Sequence, residues 1–273
     1  MNDEINNAQV IADLAVVGGQ TRQIADGVPF ITLPEGYKAL DLEHLLPRPV
    51  QKRGTFVAHD AASFVAYVNK HKTTGTIVTA QVDATSFKAV LDHHDDEPGW
   101  GAHKVSYGCP KSPEWAIWTR NDNRQMTQSE FAQFLEENLP DIIDPSGADV
   151  LTVVQTLEAN TKVKFSSAIR LDNGQRQLTY EEVIEGAAAK GTMKIPEIFT
   201  LAIPPFRGSD RYKVEARLRY RIPNGGGQLS LWYELVRPEK VVEAVFQDEL
   251  VSIRDGRSPE AAGIGLPILL GSL

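Results

Sequence analysis

From Tyr212 to Ile222 the chain alternates without a break between two kinds of residue. Tyr212, Val214, Ala216, Leu218, Tyr220 and Ile222 are apolar, while Arg211, Lys213, Glu215, Arg217, Arg219 and Arg221 lie between them. A period of two marks a strand with one buried face. Pro223, Asn224, Gly225, Gly226 and Gly227 supply the turn, and a second strand follows with Leu229, Leu231, Tyr233 and Leu235 on one face. A turn centred on Gly225 and Gly226 sets Ile222 against Leu229, Tyr220 against Leu231 and Leu218 against Tyr233. On the other face it sets Arg219 against Trp232 and Arg217 against Glu234, which predicts a cation–π pair and an ion pair. A slip of one residue would bring arginines onto leucines, so the register is strongly specified.

The same patterning predicts the remaining elements. Residues Ile5 to Val17 read as a short helix with a thin apolar stripe, which must dock on something to hold. Residues 20–59 carry Pro29, Pro34, Pro47 and Pro49 among short β-like pieces at Val28–Leu33, Lys38–Leu42 and Thr55–His59. Asp60 caps a helix to His71 that faces Phe64, Val65 and Val68 inward. An antiparallel meander is expected over Thr76–Asp83, Ser86–Leu91, His103–Tyr107 and Glu114–Thr119, with a polar loop from Asp92 to Trp100. Its tryptophan-rich strands are expected to build the core of the first sheet.

Thr127-Gln-Ser-Glu130 has the form of a capping box. It opens a helix with Phe131, Phe134 and Leu135 on one face, which stops at Pro140. A further helix runs from Ala148 to Asn160. Strands are expected at Val163–Leu171, returning through Leu178 and Tyr180 after Asp172-Asn-Gly174, and at Ile195–Ile203. Pro238 opens a last helix over Glu239–Ser252. The sum is an α+β fold, mostly antiparallel, of a meander and β-hairpins with four or five helices and extended terminal arms. Three regions follow: 1–145, 146–253 with the 211–236 hairpin, and an apolar C-terminal arm at 254–273.

Composition narrows the classes. At 273 residues the chain is long enough to bury a core, and 42% hydrophobic with 23% charged residues is ordinary for a globular protein. A formal net charge of -8 weighs against a protein whose main task is to coat nucleic acid. Cys109 is the only cysteine, which rules out disulfides and thiolate zinc sites within one chain and suits a reducing compartment. The start, Asn2-Asp3-Glu4, is acidic where a signal peptide is basic, and no apolar run reaches the roughly 18–20 residues of a spanning helix. A cytoplasmic protein with no membrane partner is expected.

The candidate chemistry each stands beside a plainer reading. His93, His94, Asp95 and, further on, His103 carry imidazole and carboxylate donors for a first-row metal, without any familiar ligand spacing. Adjacent residues on an extended chain point to opposite faces, so a solvated acidic loop between two strands is the preferred reading, and no cofactor is expected. Arg211, Lys213, Arg217, Arg219 and Arg221, with Trp232 alongside, form a stripe suited to phosphates and a stacked base, but a solvent face, or one meeting an acidic patch on another subunit, is the preferred reading. Cys109 is a nucleophile only if a base such as His94 or His103 lies near it, and otherwise it is a buried core thiol. Serine-nucleophile elbows, phosphate-cradling loops and dinucleotide fingerprints are absent. The tail Ile264, Leu266, Ile268, Leu269, Leu270 and Leu273 is too apolar for an exposed coil. It predicts either an arm that joins subunits or a segment folded back on its own domain.

Several of these stretches carry a resemblance. Trp100-Gly-Ala-His103-Lys-Val-Ser-Tyr107, Pro113-Glu-Trp115 with Trp118, Phe206-Arg-Gly208, Arg217-Leu-Arg-Tyr-Arg221 and Trp232-Tyr-Glu-Leu235 resemble the YfdQ-like family of phage and prophage proteins. The likeness is weakest in the first fifty residues and the tail, and none of these is a catalytic motif. The resemblance implies a phage-derived gene expressed in a bacterial cytoplasm, often near genes of DNA metabolism, and brings no active-site residues. The function expected is a non-enzymatic accessory protein that assembles with itself into a ring or shell through its terminal arms. Three rivals stand beside it: a nucleic-acid-binding or recombination helper using 211–221, an inhibitor of a host defence protein, and a metal-dependent hydrolase at the histidine loop.

Overall fold

The structure is a computed structural model and describes residues 9–12, 15, 22–23, 29–30, 42–159, 164–170, 175–184, 187–221, 229–258 and 261–273. Contacts divide the chain into two units, Met1–Lys52 and Arg53–Leu273. In the first, residues 9–12 and 15 are helical (α1), and β1 (Arg22–Gln23) pairs with β2 (Pro29–Phe30). The rest of the expected Ile5–Val17 helix and the Lys38–Leu42 strand lie almost wholly outside the described residues.

The second unit is α+β and is built on two five-stranded sheets, each with its own core. Sheet one has the order β17-β4-β5-β6-β3. It comprises β3 (Gly54–Ala58), β4 (Ile77–Gln81), β5 (Ser86–Val90), β6 (His103–Gly108) and β17 (Ile268–Leu270). The meander β4-β5-β6 is antiparallel as its sequence predicts, but both outer strands join in parallel, β3 to β6 and β17 to β4. Helix α2 (Ala61–His71) starts as expected, with Asp60 accepting a hydrogen bond from the Ser63 N–H. Phe64 and Val68 of α2 pack with Phe87, Tyr107 and Phe246 in this core.

Sheet two has the order β7-β14-β13-β12-β8. It contains β7 (Met126–Thr127), β8 (Ile142–Asp144), β12 (Ile198–Ile203), β13 (Tyr212–Arg221) and β14 (Ser230–Leu235). The hairpin register is the one its loop dictates: Tyr220 faces Leu231, Leu218 faces Tyr233, Arg219 faces Trp232 and Arg217 faces Glu234. Residue 222, expected opposite Leu229, lies outside the described residues. One face of this sheet is covered by α3 (Pro113–Arg120), α4 (Gln128–Glu137) and α5 (Gly147–Ala159). The capping box is complete: Thr127 Oγ1 accepts from the Glu130 N–H, and the Glu130 carboxylate accepts from the Thr127 N–H at 2.8 Å. A third sheet, β11-β10-β9, comprises β9 (Lys164–Arg170), β10 (Gln175–Ile184) and β11 (Ala187–Pro196), of which β11 is not evident in the sequence pattern.

One predicted strand is a helix. Glu114–Thr119 belongs to α3, because Ser112 caps it, Pro113 sits at its first position and Trp115 and Trp118 fall three apart on one face. Aromatic content suggested a strand, but Ser-Pro-Glu is a helix start. The two tryptophans accordingly serve sheet two rather than sheet one: both are buried, and Trp118 lies edge-on to Tyr233 at 5.1 Å. Helix α6 (Pro238–Asp255) links the two cores, with Val241 and Val242 against both and Val245, Phe246, Leu250 and Ile253 in the first. Beyond α6 the strands β15 (Gly256–Ser258) and β16 (Ala261–Ala262) form a small hairpin before the tail. Among the described residues no helix is long and apolar enough to cross a membrane.

Candidate functional site

The histidines do not converge. The His93 and His94 rings lie 4.4 Å apart in the loop, and His94 Nδ1 accepts the Gly99 N–H. Asp92 closes the loop by accepting the backbone N–H groups of Ala102 and His103 at 3.0 and 2.8 Å. Burial opposes its ionisation, but these two bonds outweigh burial and hold its carboxyl below the ordinary range. His103 is buried, with Nε2 at 2.8 Å from the Tyr67 hydroxyl and its ring against His71. Asp95 is exposed, and among the described residues no three side chains are grouped to hold a metal ion. The expected donors are therefore divided between a loop and a core.

Cys109 is buried beside Tyr107. Burial first, then the nearby Glu249 carboxylate, pushes its thiol up to about 12, the opposite of what a nucleophilic cysteine needs. The neighbouring Lys111 is spent on aromatic rings, its ammonium 4.4 Å from the Phe206 ring centre.

The basic stripe lies on the face of sheet two opposite its core. Lys213, Arg217 and Arg221 are exposed, while Arg219 and Trp232 are half-buried. The ion pair made by Glu234 is not the predicted one with Arg217. Arg219 Nε donates to it at 2.8 Å, a diagonal contact across the strands, so Arg219 is drawn to the carboxylate rather than to the Trp232 ring. Arg211 is anchored elsewhere, donating to the Pro140 carbonyl at 3.2 Å and lying 3.7 Å from the Asp141 carboxylate. The stripe left facing solvent is Lys213, Arg217 and Arg221, interrupted by Glu215.

The tail folds back on its own domain. Ile264 is fully buried in the first core, Leu266 and Ile268 are partly buried against it, and Lys88 Nζ donates to the Leu273 carbonyl. Leu269, Leu270 and Leu273 stay about half exposed, at 52%, 65% and 49%. Strand β17 thus forms one outer edge of sheet one and β3 the other. The β3 edge is apolar as well: Val57 is 57% exposed and Phe56 40%. Trp100, 83% exposed, stands two residues before Ala102, which accepts the N–H of Gly54 at the start of β3.

A family model matches the whole chain, residues 1–273. The protein belongs to the DUF2303 family, described as an uncharacterized conserved protein. No curated protein and no solved structure matches it.

In this DUF2303 protein the edges of sheet one are the feature least visible in the sequence. Strand parity shows which backbone groups they leave free. The Gly54 N–H points to β6 and the Gly271 N–H to the Ala80 carbonyl on β4. Along an extended strand successive peptide groups alternate sides, so Thr55 and Val57, like Ile268 and Leu270, turn their N–H and C=O outward. Among the described residues no strand pairs with either outer edge. The signal for the β3 edge lies in Thr55-Phe-Val57, where consecutive apolar residues break the alternation of a one-faced strand.

Proposed function

We propose that this protein is a non-enzymatic accessory protein that assembles with itself, edge to edge, through sheet one. The observation that carries the reading is the match between its two outer strands. β3 runs parallel to β6, β6 and β4 are both antiparallel to β5, and β17 is parallel to β4, so β3 and β17 point the same way. Placing β17 of one copy beside β3 of the next continues the sheet in parallel and covers Leu269, Leu270, Val57 and Phe56. Such a contact uses different surfaces on the two partners, so it closes into a ring when the rotation between copies permits, and otherwise extends into a filament. These edges are short, three and five residues, but they are apolar and unpaired among the described residues, which is what an association edge presents. The phage-derived origin and bacterial cytoplasmic setting implied by the YfdQ-like resemblance belong to this proposal.

Light scattering behind size exclusion tests it. Val57→Pro and Leu270→Pro each remove an outward N–H and leave the inward bonds in place. The wild type should elute as a multiple of 30.1 kDa and both variants as monomers with unchanged circular dichroism. Phe56→Pro, which removes an inward N–H, should instead lose structure. Truncation after Asp255 is a poorer test, since it also takes Ile264 out of the core. A wild-type monomer, or proline variants that keep the assembled mass, would sink the proposal.

A second reading rests on Arg217 and Arg221, exposed and without an ion pair among the described residues, near the half-buried Trp232. This is the composition of a single-strand nucleic-acid face. Here affinity for an oligonucleotide should fall steeply with salt, and Arg217→Ala with Arg221→Ala should flatten that slope by about one phosphate contact each. Salt-independent or absent binding would remove it.

A further inference from the structure

We infer that the cleft between α2 and α6 is a binding site for a small amphipathic anion: an apolar body ending in a single oxyanion group. The cleft holds about 620 Å³, within the range of small-molecule pockets. Its walls are mainly apolar, and the small side chains facing it leave the space. Ala61, Ala62, Val65 and Ala66 of α2 stand opposite Ile253 of α6, and Ala261 and Ala262 of β16 close the outer end. Asn69 Nδ2 donates to the Gly263 carbonyl at 3.1 Å, which ties the tail to α2 at that end.

Two arginines from separate segments, Arg207 and Arg257, line this cavity, and Arg207 is exposed at its mouth. Arg257 is held rigidly, with Nη2 at 2.9 Å from the Glu249 carboxylate, which is only 8% exposed, and Nε at 2.9 Å from Ser252 Oγ. Those bonds use two of its five donors and neutralise its charge against Glu249. Arg207 is different. Its backbone is fixed: its N–H donates to the Pro110 carbonyl, Phe206 before it is buried, and Ser209 Oγ bonds the Phe206 backbone on both sides. Gly208 follows with φ of +79°, a turn that side-chain-bearing residues rarely adopt. Yet the Arg207 guanidinium has no hydrogen bond or ion pair to any described residue. A cation on a fixed turn lining an apolar cavity, with no counter-ion among the described residues, is matched by the anionic end of a ligand. Asp60, the remaining acid among the described residues lining the cleft, is committed to the α2 N-terminus through Ser63. It limits the site to one oxyanion rather than a polyanion.

The probe is 8-anilinonaphthalene-1-sulfonate, an aromatic body with one sulfonate, titrated into the full-length protein by fluorescence and calorimetry. One saturable site per chain is expected. Arg207→Ala should weaken it at least tenfold, and Arg207→Lys less. Ala66→Trp, which fills the cavity from the α2 side, should abolish it, with melting temperatures and circular dichroism confirming that each variant folds. The uncharged N-phenyl-1-naphthylamine should bind at least tenfold more weakly than the sulfonate. The inference is overturned by absence of saturable binding, by undiminished binding in Arg207→Ala, or by equal binding of the uncharged probe. None of these outcomes bears on edge-to-edge assembly, which is read from solution mass.

Discussion

Asp141 is the group at which packing and charge in this protein oppose each other most directly. It is 5% exposed and accepts the indole N–H of Trp118, itself fully buried, at 2.9 Å. Burial raises its carboxyl above the ordinary range, against the pull of the Trp118 bond and the Arg211 guanidinium. Asp141→Ala leaves the indole donor unsatisfied inside the core, a loss of about 1–3 kcal/mol. Asp141→Asn keeps an acceptor for Trp118 and gives up only the contact with Arg211, whose side chain is 52% exposed, so its effect should stay within about 1 kcal/mol of the wild type in either direction. The pH dependence separates the two causes. A carboxyl whose folded pKa is raised binds its proton more tightly in the native state. Its contribution is therefore fully present below the unfolded value near 3.8 and is lost as pH rises through the folded value. In urea titrations at pH 4 and pH 7, the wild type should thus gain stability relative to Asp141→Asn at the lower pH, with equal m-values. A difference independent of pH, or an alanine variant as stable as the wild type, would refute this account of the Trp118–Asp141 contact.

Other consequences are simpler. Phe246 is fully buried and stacked 4.9 Å from Phe87, so Phe246→Ala should cost about 3–5 kcal/mol in chemical denaturation; a cost below about 1 kcal/mol would show that α6 does not anchor the first core. Thr127→Ala removes the side-chain half of the capping box, leaving the backbone N–H of residue 127 to the Glu130 carboxylate, and should cost about 0.5–2 kcal/mol, with the Glu130→Ala double variant less than additive. The Arg219–Glu234 pair, with side chains 24% and 34% exposed, should couple by no more than about 1 kcal/mol in a double-mutant cycle, weakening in salt. Cys109, with its thiol pushed up to about 12, should react with a thiol reagent at pH 8 only once the protein is unfolded; rapid reaction of the native protein would contradict its burial.

How much of this was legible in the chain depended on whether the determining interaction was local. The β13–β14 register was readable because a five-residue turn and a strict alternation leave one pairing that keeps Val214, Ala216 and Leu218 buried. The α2 and α4 starts were readable because a cap is a contact across three residues. Local signals conflicted at α3, where aromatic density argued for a strand and Ser112-Pro113-Glu114 for a helix; the cap was the better guide. The diagonal choice of Glu234 for Arg219 over Arg217 was hidden, since register fixes neighbours but not rotamers. The candidate sites were hidden for a stronger reason. Their parts are distant in sequence: β17 pairs with β4, and the cleft draws on residues from Asp60 to Ala262. A tail as apolar as Ile264–Leu273 announces that it must be covered, and its own domain covers only the first half of it. The second half keeps its half-exposed leucines on an edge that no strand among the described residues pairs. The pattern that predicts burial is thus met only in part within one chain, and in the edge-to-edge assembly proposed above β3 of a second copy would cover those leucines.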